Sequence, residues 1–245
     1  MRALIMAAGK GSRISRYIGG QPKCTVDIGG ISLIENTIIE LKKAKVKDIG
    51  IVLGYNGKVI MDLLKDYDIE FFTNPFYDVT NSIASAWFAS DFINLDEDLI
   101  ILNGDVFFES SLLYDILNEP LSPVLFCDDT RKEEADYKFY YEDNKLLKYG
   151  KELTGEDISG EYIGIAKINK EFIKIFKSNL VNMIFQQNHS VWWENVLYSL
   201  TDVYDIYVKD IEGKFWAEVD YVEDYERILN FRDYRLSYAL SIARK

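Results

Sequence analysis

The sequence predicts an α/β protein, and three observations carry that prediction. Short apolar runs rich in Ile, Val, Leu and Phe alternate with longer segments of helical period through the first half of the chain. A glycine-rich turn follows the first of those runs. The 245 residues are 48% hydrophobic and 28% charged, enough for a substantial core and incompatible with disorder or a collagen-like repeat.

In the first half, strands are predicted at residues 3–6, 49–53, 69–73 and 99–102. Residues 32–44, 58–66 and 82–90 carry apolar side chains three and four apart, as crossover helices between parallel strands require. Past Pro120 the pattern changes. Residues 123–127, 137–141, 146–149 and 162–168 read as strands joined by short polar turns, including Glu142-Asp143-Asn144, so an antiparallel or mixed portion is expected. Helices at 170–178 and 191–200, strands at 206–208 and 215–219, and a closing helix from about 222 to 243 complete the prediction. With four prolines and no Ser/Gly-rich linker or repeat, residues 1–245 read as one compact unit, with halves of about 1–118 and 119–245.

Composition excludes several classes of function. Forty acidic against 28 basic residues give a net charge of −12, which disfavours a nucleic-acid partner. Cys24 and Cys127 stand far apart without the spacing of a zinc site or a disulfide framework. The one histidine, His189, has no nucleophile elbow to serve and reads as a loop or capping residue, so any catalysis must rest on carboxylates, lysines, arginines and backbone amides. The N-terminal apolar run is too short for a signal peptide, and no segment approaches a membrane span. A soluble, cytoplasmic protein without a membrane partner is expected.

Four phrases carry candidate chemistry. Ala7-Ala8-Gly9-Lys10-Gly11-Ser12-Arg13 follows a buried strand; its glycines allow a sharp turn that aims amides into one concavity, and Lys10 and Arg13 add positive charge. It is neither the dinucleotide fingerprint nor a P-loop, and taken alone it equally fits an ordinary strand-to-loop turn. Gln21-Pro22-Lys23 fixes a lysine behind a proline, as a surface turn also would. Asp105, in Asn103-Gly104-Asp105, stands at the carboxyl end of a strand, where open α/β sheets bind ligands. Glu218 and Asp220 share one face of another strand end. Either pairs with Asp105 as a Mg²⁺ ligand, and the alternative for Asp220 is the N-cap of the closing helix.

Together these phrases, with Gly54-Tyr55, Asn74-Pro75-Phe76-Tyr77 and the segment from Asn81 to Ser85, resemble the nucleotidyltransferase superfamily of sugar-1-phosphate pyrophosphorylases. Within it the chain is most similar to the small cytidylyltransferases that act on phosphocholine, aminoethylphosphonate or phosphoglutamine. The resemblance spans nearly the whole chain. It implies a Rossmann-like three-layer sandwich with a mixed, mainly parallel sheet, the GT-A-like nucleotidyltransferase fold, with a nucleotide-binding first half and an acceptor-binding second half.

It also implies in-line attack by an acceptor phosphate on the α-phosphorus of CTP with release of pyrophosphate. Gly9, Gly11, Ser12 and Arg13 then wrap the triphosphate, and Lys23 neutralises the reacting phosphates. Asp105 with Asp220, favoured over Glu218, binds Mg²⁺. The base rests on Ala7 and Ala8, helped by Gly54, Tyr55, Ser82 and Ser85. Such chemistry needs positioning and charge neutralisation more than a base, so the scarcity of histidine is no obstacle.

Residues 14–20 lack the proline and leucine usual in the sugar enzymes, and Cys24 replaces their small or apolar residue. A sugar-1-phosphate enzyme using UTP, dTTP or GTP is the second expectation, and an inactive nucleotide-binding module a third. The acceptor is expected against Glu161, Tyr162, Trp192, Trp193 and Glu194, where indoles and carboxylates suit an amine. The alternative for the Trp pair is a place in the core.

Overall fold

The computed structural model describes residues 1–11, 13, 14 and 17–243, with side chains as far as residue 235. In chain order the elements are β1 (Arg2–Ala7), α1 (Leu33–Lys43), β2 (Asp48–Leu53), α2 (Gly57–Leu63), β3 (Glu70–Thr73), α3 (Ser82–Phe88), β4 (Leu99–Asn103), β5 (Val106–Phe108) and α4 (Ser110–Asn118). The second half adds β6 (Val124–Asp128), β7 (Lys138–Glu142), β8 (Lys145–Gly150), β9 (Gly160–Ile168), α5 (Lys170–Phe185), α6 (Asn195–Tyr198), β10 (Tyr207–Asp210), β11 (Trp216–Glu218) and α7 (Val222–Ala243).

Nine strands form one sheet in the order β3-β2-β1-β4-β9-β6-β10-β8-β7. The parallel pairings join β1 to β2 and β4, β2 to β3, and β6 to β10. The junctions made by β9 and by β7–β8 are antiparallel. The sheet is therefore mixed, and most of its parallel pairing lies in the first half, where helices α1 to α3 supply the crossovers. Period-two alternation puts the two faces of β1 into different cores: Leu4 and Met6 join Phe92, Ile101 and Phe176 on one side, while Ala3 and Ile5 join Ile34, Ile38 and Ile51 on the other. A layer of helices covers each face.

A second, two-stranded ribbon pairs β5 with β11 antiparallel, placing Glu218 opposite Val106. Behind it Phe107, Ala217 and Val219 pack with Ile228 of α7 in a third core. This ribbon positions the acidic groups described below, and the sequence reading located its β11 strand but missed β5 and α4. Both hide in a short apolar stretch where one residue, Glu109, separates a three-residue strand from a helix.

The predicted helix at 191–200 contracts to α6. Its leading backbone groups are engaged elsewhere: the amides of Asn81 and Ile83 bond the carbonyls of His189 and Val191, and the amide of Trp193 donates to Ser82 Oγ at 2.9 Å. The start of α3 thus claims the groups a helix would use. His189 lies in this exposed loop with Ser190 Oγ 3.2 Å from its Nδ1. Helix α5 instead runs past its predicted end because Leu180 continues the buried stripe. Asp143 and Asn144 adopt positive φ in the β7–β8 turn, a conformation these residue types tolerate. Among the described residues no helix is long and apolar enough to cross a membrane.

Helix α1 begins with a reciprocal cap, in which Ser32 Oγ accepts from the Glu35 amide and the Glu35 carboxylate accepts from the Ser32 amide. Its buried stripe closes one face of the parallel half. Ser32→Ala is expected to lower stability by about 1 kcal/mol in urea denaturation, without altering the slope against denaturant.

Candidate active site

Strand β1 ends at Ala7, and the chain turns through Gly9 and Gly11 along the rim of a cleft of about 590 Å³. Ala7, Ala8, Gly9, Gly11 and Arg13 line it, whereas Ser12 lies outside the described residues. Gly11 has φ +60, and a Cβ there would fall 2.3 Å from Lys23 Cγ. The lysine stem crosses directly over this glycine, so the loop and Lys23 are built against each other. Lys23 follows Pro22 at the start of a short 3₁₀ turn, and its ammonium enters the cleft.

The ammonium of Lys23 lies between two acids. It donates to Asp105 at 3.1 Å and also bonds Asp220. Arg13 reaches Asp220 at 2.5 Å. The β5–β11 ribbon makes this meeting possible: Asp105 occupies the turn before β5, Glu218 ends β11, and the amide of Val219 donates to the Asp105 carbonyl at 2.9 Å. The N-cap alternative for Asp220 fails, because Asp224 reaches back to the amides of Asp220 and Tyr221 at 3.3 and 3.0 Å. Asp224 therefore caps α7 and leaves Asp220 to face the cations.

Charge at this point is tightly balanced. Burial opposes the charge on Lys23, but Asp105 and Asp220 more than offset it and hold the ammonium above the ordinary lysine range. Burial raises Asp220, and Lys23 and Arg13 outweigh it and pull the carboxyl below its usual range. Glu218 is different: burial, then Asp105 and Asp220, push it well above the usual carboxylate range, and Lys23 opposes only part of this. One carboxylate oxygen from each of Asp105, Glu218 and Asp220 lies within 4.8 Å of the others. An all-oxygen donor set of this kind, with one buried acid short of positive charge, fits a hard divalent metal ion. Glu218 thus belongs with Asp105 as fully as Asp220 does.

Gly54 and Tyr55 are predicted at the base, yet neither lines the cleft. They clasp the loop from behind: the Tyr55 amide donates to the Ala8 carbonyl at 3.0 Å and its hydroxyl to the Gly20 carbonyl at 2.9 Å. A Cβ on Gly54 would meet the Ala8 oxygen at 2.5 Å, which explains the glycine. Ser82 and Ser85 do line the cleft. Ser85 is held by the Asn74 amide nitrogen at 2.9 Å, and Asn74, buried, in turn accepts from the Phe76 amide.

The far half of the cleft contains Glu161, Tyr162, Trp192 and Glu194. Trp193 does not line it. Its side chain is 0% exposed, and its Nε1 donates to Asn103 Oδ1 at 3.1 Å, so this indole is a core residue that fixes the neighbour of the Gly104-Asp105 turn. Glu161 faces the cleft but is engaged, accepting from Arg131 Nε at 3.2 Å and from the Asp136 amide at 2.9 Å. It anchors the 131–136 segment to the wall. The sequence reading also missed Asn103, Asp136, Tyr137, Lys151 and Tyr198, all of which line the cleft. Only Asn103 carried a signal, its place in Asn-Gly-Asp.

Glu194 is 6% exposed. Burial lifts its carboxyl to about 7, Asn103 and Tyr162 offset part of that, and Asp105 adds to it. Between about 4.5 and 7 the folded chain therefore binds more protons here than the unfolded chain, so this group's contribution to stability falls as pH rises through that window. Glu194→Gln is expected to flatten the loss of melting temperature between pH 5 and pH 7. An unaltered slope would place the titrating group elsewhere.

Comparison with known proteins identifies the family and the fold. Residues 3–143 match the family model described as the MobA-like NTP transferase domain. The CTP:phosphoglutamine cytidylyltransferase of Campylobacter jejuni is 30% identical over 92% of this chain and 98% of its own length. The choline-phosphate cytidylyltransferase of Streptococcus pneumoniae is 24% identical over 93% of this chain and 96% of its own. Among solved structures, the CTP:phosphocholine cytidylyltransferase of Streptococcus pneumoniae superposes with a TM-score of 0.74 at 20% identity, covering 94% of this chain and 98% of that one. The inositol-1-phosphate CTP transferase of T. maritima gives a TM-score of 0.74 at 20% identity, covering 93% and 94%. The glycine loop, the bridging lysine and the acidic triad are thus set on the fold these structures share, and the chain belongs to the MobA-like NTP transferase family, whose members are nucleotidyltransferases.

Proposed function

We propose that the protein is a Mg²⁺-dependent cytidylyltransferase that moves CMP from CTP to a small phosphorylated, amine-bearing acceptor and releases pyrophosphate. Phosphoglutamine, phosphocholine and aminoethylphosphonate are the acceptor types considered, with a role in modifying a surface polysaccharide. Residues 1–118 would hold the nucleotide and residues 119–245 most of the acceptor. One observation carries the reading: Arg13, Lys23, Asp105, Glu218 and Asp220 converge at one end of a cleft whose other end is aromatic and acidic. Two relatives spanning over nine-tenths of the chain are named as CTP-dependent enzymes acting on phosphorylated acceptors that carry nitrogen.

In the reaction an acceptor phosphate oxygen forms a bond to the α-phosphorus of CTP, and the bond from that phosphorus to the bridging oxygen of the β-phosphate breaks. Its electron pair leaves with pyrophosphate. Arg13 and Lys23 supply positive charge to the phosphates, and the glycine loop lets the triphosphate approach the backbone. Asp105, Glu218 and Asp220 would hold Mg²⁺, which when bound neutralises phosphate charge and fixes the reacting oxygens. Ser82 and Ser85, at the wall beside Ala8, would face the base. Glu194 would receive the acceptor's amine.

Pyrophosphate release should be measured with CTP, UTP, dTTP and GTP against phosphoglutamine, phosphocholine, aminoethylphosphonate and hexose 1-phosphates. Turnover with CTP and an amine-bearing acceptor is expected, and turnover confined to hexose phosphates would sink the reading. Asp105→Asn should lower kcat by at least ~10²-fold while keeping the melting profile of a folded protein. Near-native turnover in that variant would remove Asp105 from the mechanism.

A further inference from the structure

The far half of the cleft contains polar groups without partners. The hydroxyls of Tyr162 and Tyr198 are buried with no hydrogen bond, although their residues are only 7% and 1% exposed. The Tyr162 hydroxyl approaches Glu194 and the Tyr198 hydroxyl approaches Tyr137, neither with the geometry of a well-made bond, while Asn103 also bears on Glu194. Among the described residues no cation pairs with Glu194, whose carboxyl is raised chiefly by burial. A buried carboxylate that faces no cation is costly, and Glu194 and the two hydroxyls can each accept a hydrogen bond.

The aromatic face that would attract a cation is already taken. The Lys151 ammonium stands 5.6 Å over the Trp192 ring, held by both oxygens of Asp136 at 2.9 and 2.7 Å. Tyr137 abuts Trp192 edge-on at 5.1 Å and stacks on Tyr198 at 5.9 Å, closing the wall. Among the described lining residues, Lys151 is the one cation in this half of the cleft. Its ammonium has three donors and Asp136 uses two, in a half-exposed pair that binds weakly.

Resting on the cytidylyltransferase reading, we propose that the acceptor's distal end is a primary ammonium with a neighbouring carboxylate. The ammonium donates its N–H groups to Glu194, Tyr162 and Tyr198, and Lys151 takes the carboxylate. A trimethylammonium group has no N–H to give, so it would leave both hydroxyls unpaired, and it would meet Lys151 where its aromatic contact should be. Tyr162 and Lys151 are then specificity-determining residues of the acceptor site.

The test measures pyrophosphate release from CTP with two matched pairs of acceptors. Phosphoethanolamine and phosphocholine differ only by three methyl groups on nitrogen. Phosphoglutamine is compared with its analogue lacking the α-carboxylate. The primary amine is expected to exceed phosphocholine by about tenfold or more in kcat/KM, the scale of one or two lost hydrogen bonds. Phosphoglutamine should exceed its analogue similarly, and Lys151→Met should collapse that second ratio through KM.

Tyr162→Phe should raise the melting temperature, because an unpartnered buried hydroxyl is removed, yet raise KM for phosphoethanolamine. A merely structural hydroxyl would not move both. Release that favours phosphocholine, a carboxylate ratio that survives Lys151→Met, or an unaltered KM in Tyr162→Phe overturns this inference alone. No release with any phosphorylated acceptor overturns the cytidylyltransferase reading with it.

Discussion

The site depends on one buried ammonium set between acids. Three carboxyl groups, Asp105, Glu218 and Asp220, approach within 4.8 Å, an arrangement that like-charge repulsion would break without a cation. Lys23 supplies it, with Arg13 sharing Asp220. This constraint reaches back into the sequence. Lys23 needs Gly11 beneath its stem, because any side chain there would occupy the space of its methylenes. It needs Pro22 to begin the turn that aims it, and it needs the β5–β11 pairing that carries Glu218 to the turn containing Asp105. Gly11, Lys23, Asp105, Glu218 and Asp220, distant in sequence, thus meet in the same cleft.

Much of this was legible in the sequence. Strands β1, β2 and β4 are largely buried on both faces and read as continuous apolar runs, and the half-buried edge strand β3 keeps two adjacent phenylalanines, so all four were located within a residue or two. The glycine-loop side of the cleft was legible because each of its residues stands in a short phrase at a strand end or a loop, where glycine, proline and charge have few structural reasons to coincide. Asp220 was legible as an acid facing the site. Its competing role as helix cap was resolved only by three-dimensional structure, which assigns that role to Asp224.

The aromatic side of the cleft was less legible, for a physical reason. Its walls come from positions whose side chains look alike in sequence whether they face a core or a cleft. Trp192 and Trp193 are adjacent and chemically identical, yet one lines the cleft and the other is enclosed, bonded to Asn103. The deciding fact is that the backbone of residues 189–193 bonds to the start of α3 instead of continuing a helix, which sets the direction of each indole. No local pattern contains that information. Glu161 shows the same limit: it faces the cleft as expected, but Arg131 and the Asp136 amide occupy its oxygens. Lys151 carried no signal at all, because an isolated lysine after a strand is ordinary.

The two ends of the cleft also differ in how their charge is met, and that difference orders what a ligand must do. Beside the glycine loop Asp105 and Asp220 already have cations, so on the proposed reading a triphosphate would gain Arg13 and Lys23 only by drawing them from these acids. Those acids would release their cations without penalty only where another positive charge takes the place, which on that reading would tie triphosphate binding to an accompanying cation. At the aromatic end Glu194 is buried with no cation beside it among the described residues, and no well-made hydrogen bond reaches the Tyr162 and Tyr198 hydroxyls. Binding there completes contacts that the free protein lacks. A ligand that matches them is rewarded with interactions not weakened by water, and one that fails to match leaves the cost in place. On the proposed reading, selectivity would reside among the aromatic and acidic groups and neutralisation of phosphate charge beside the glycine loop.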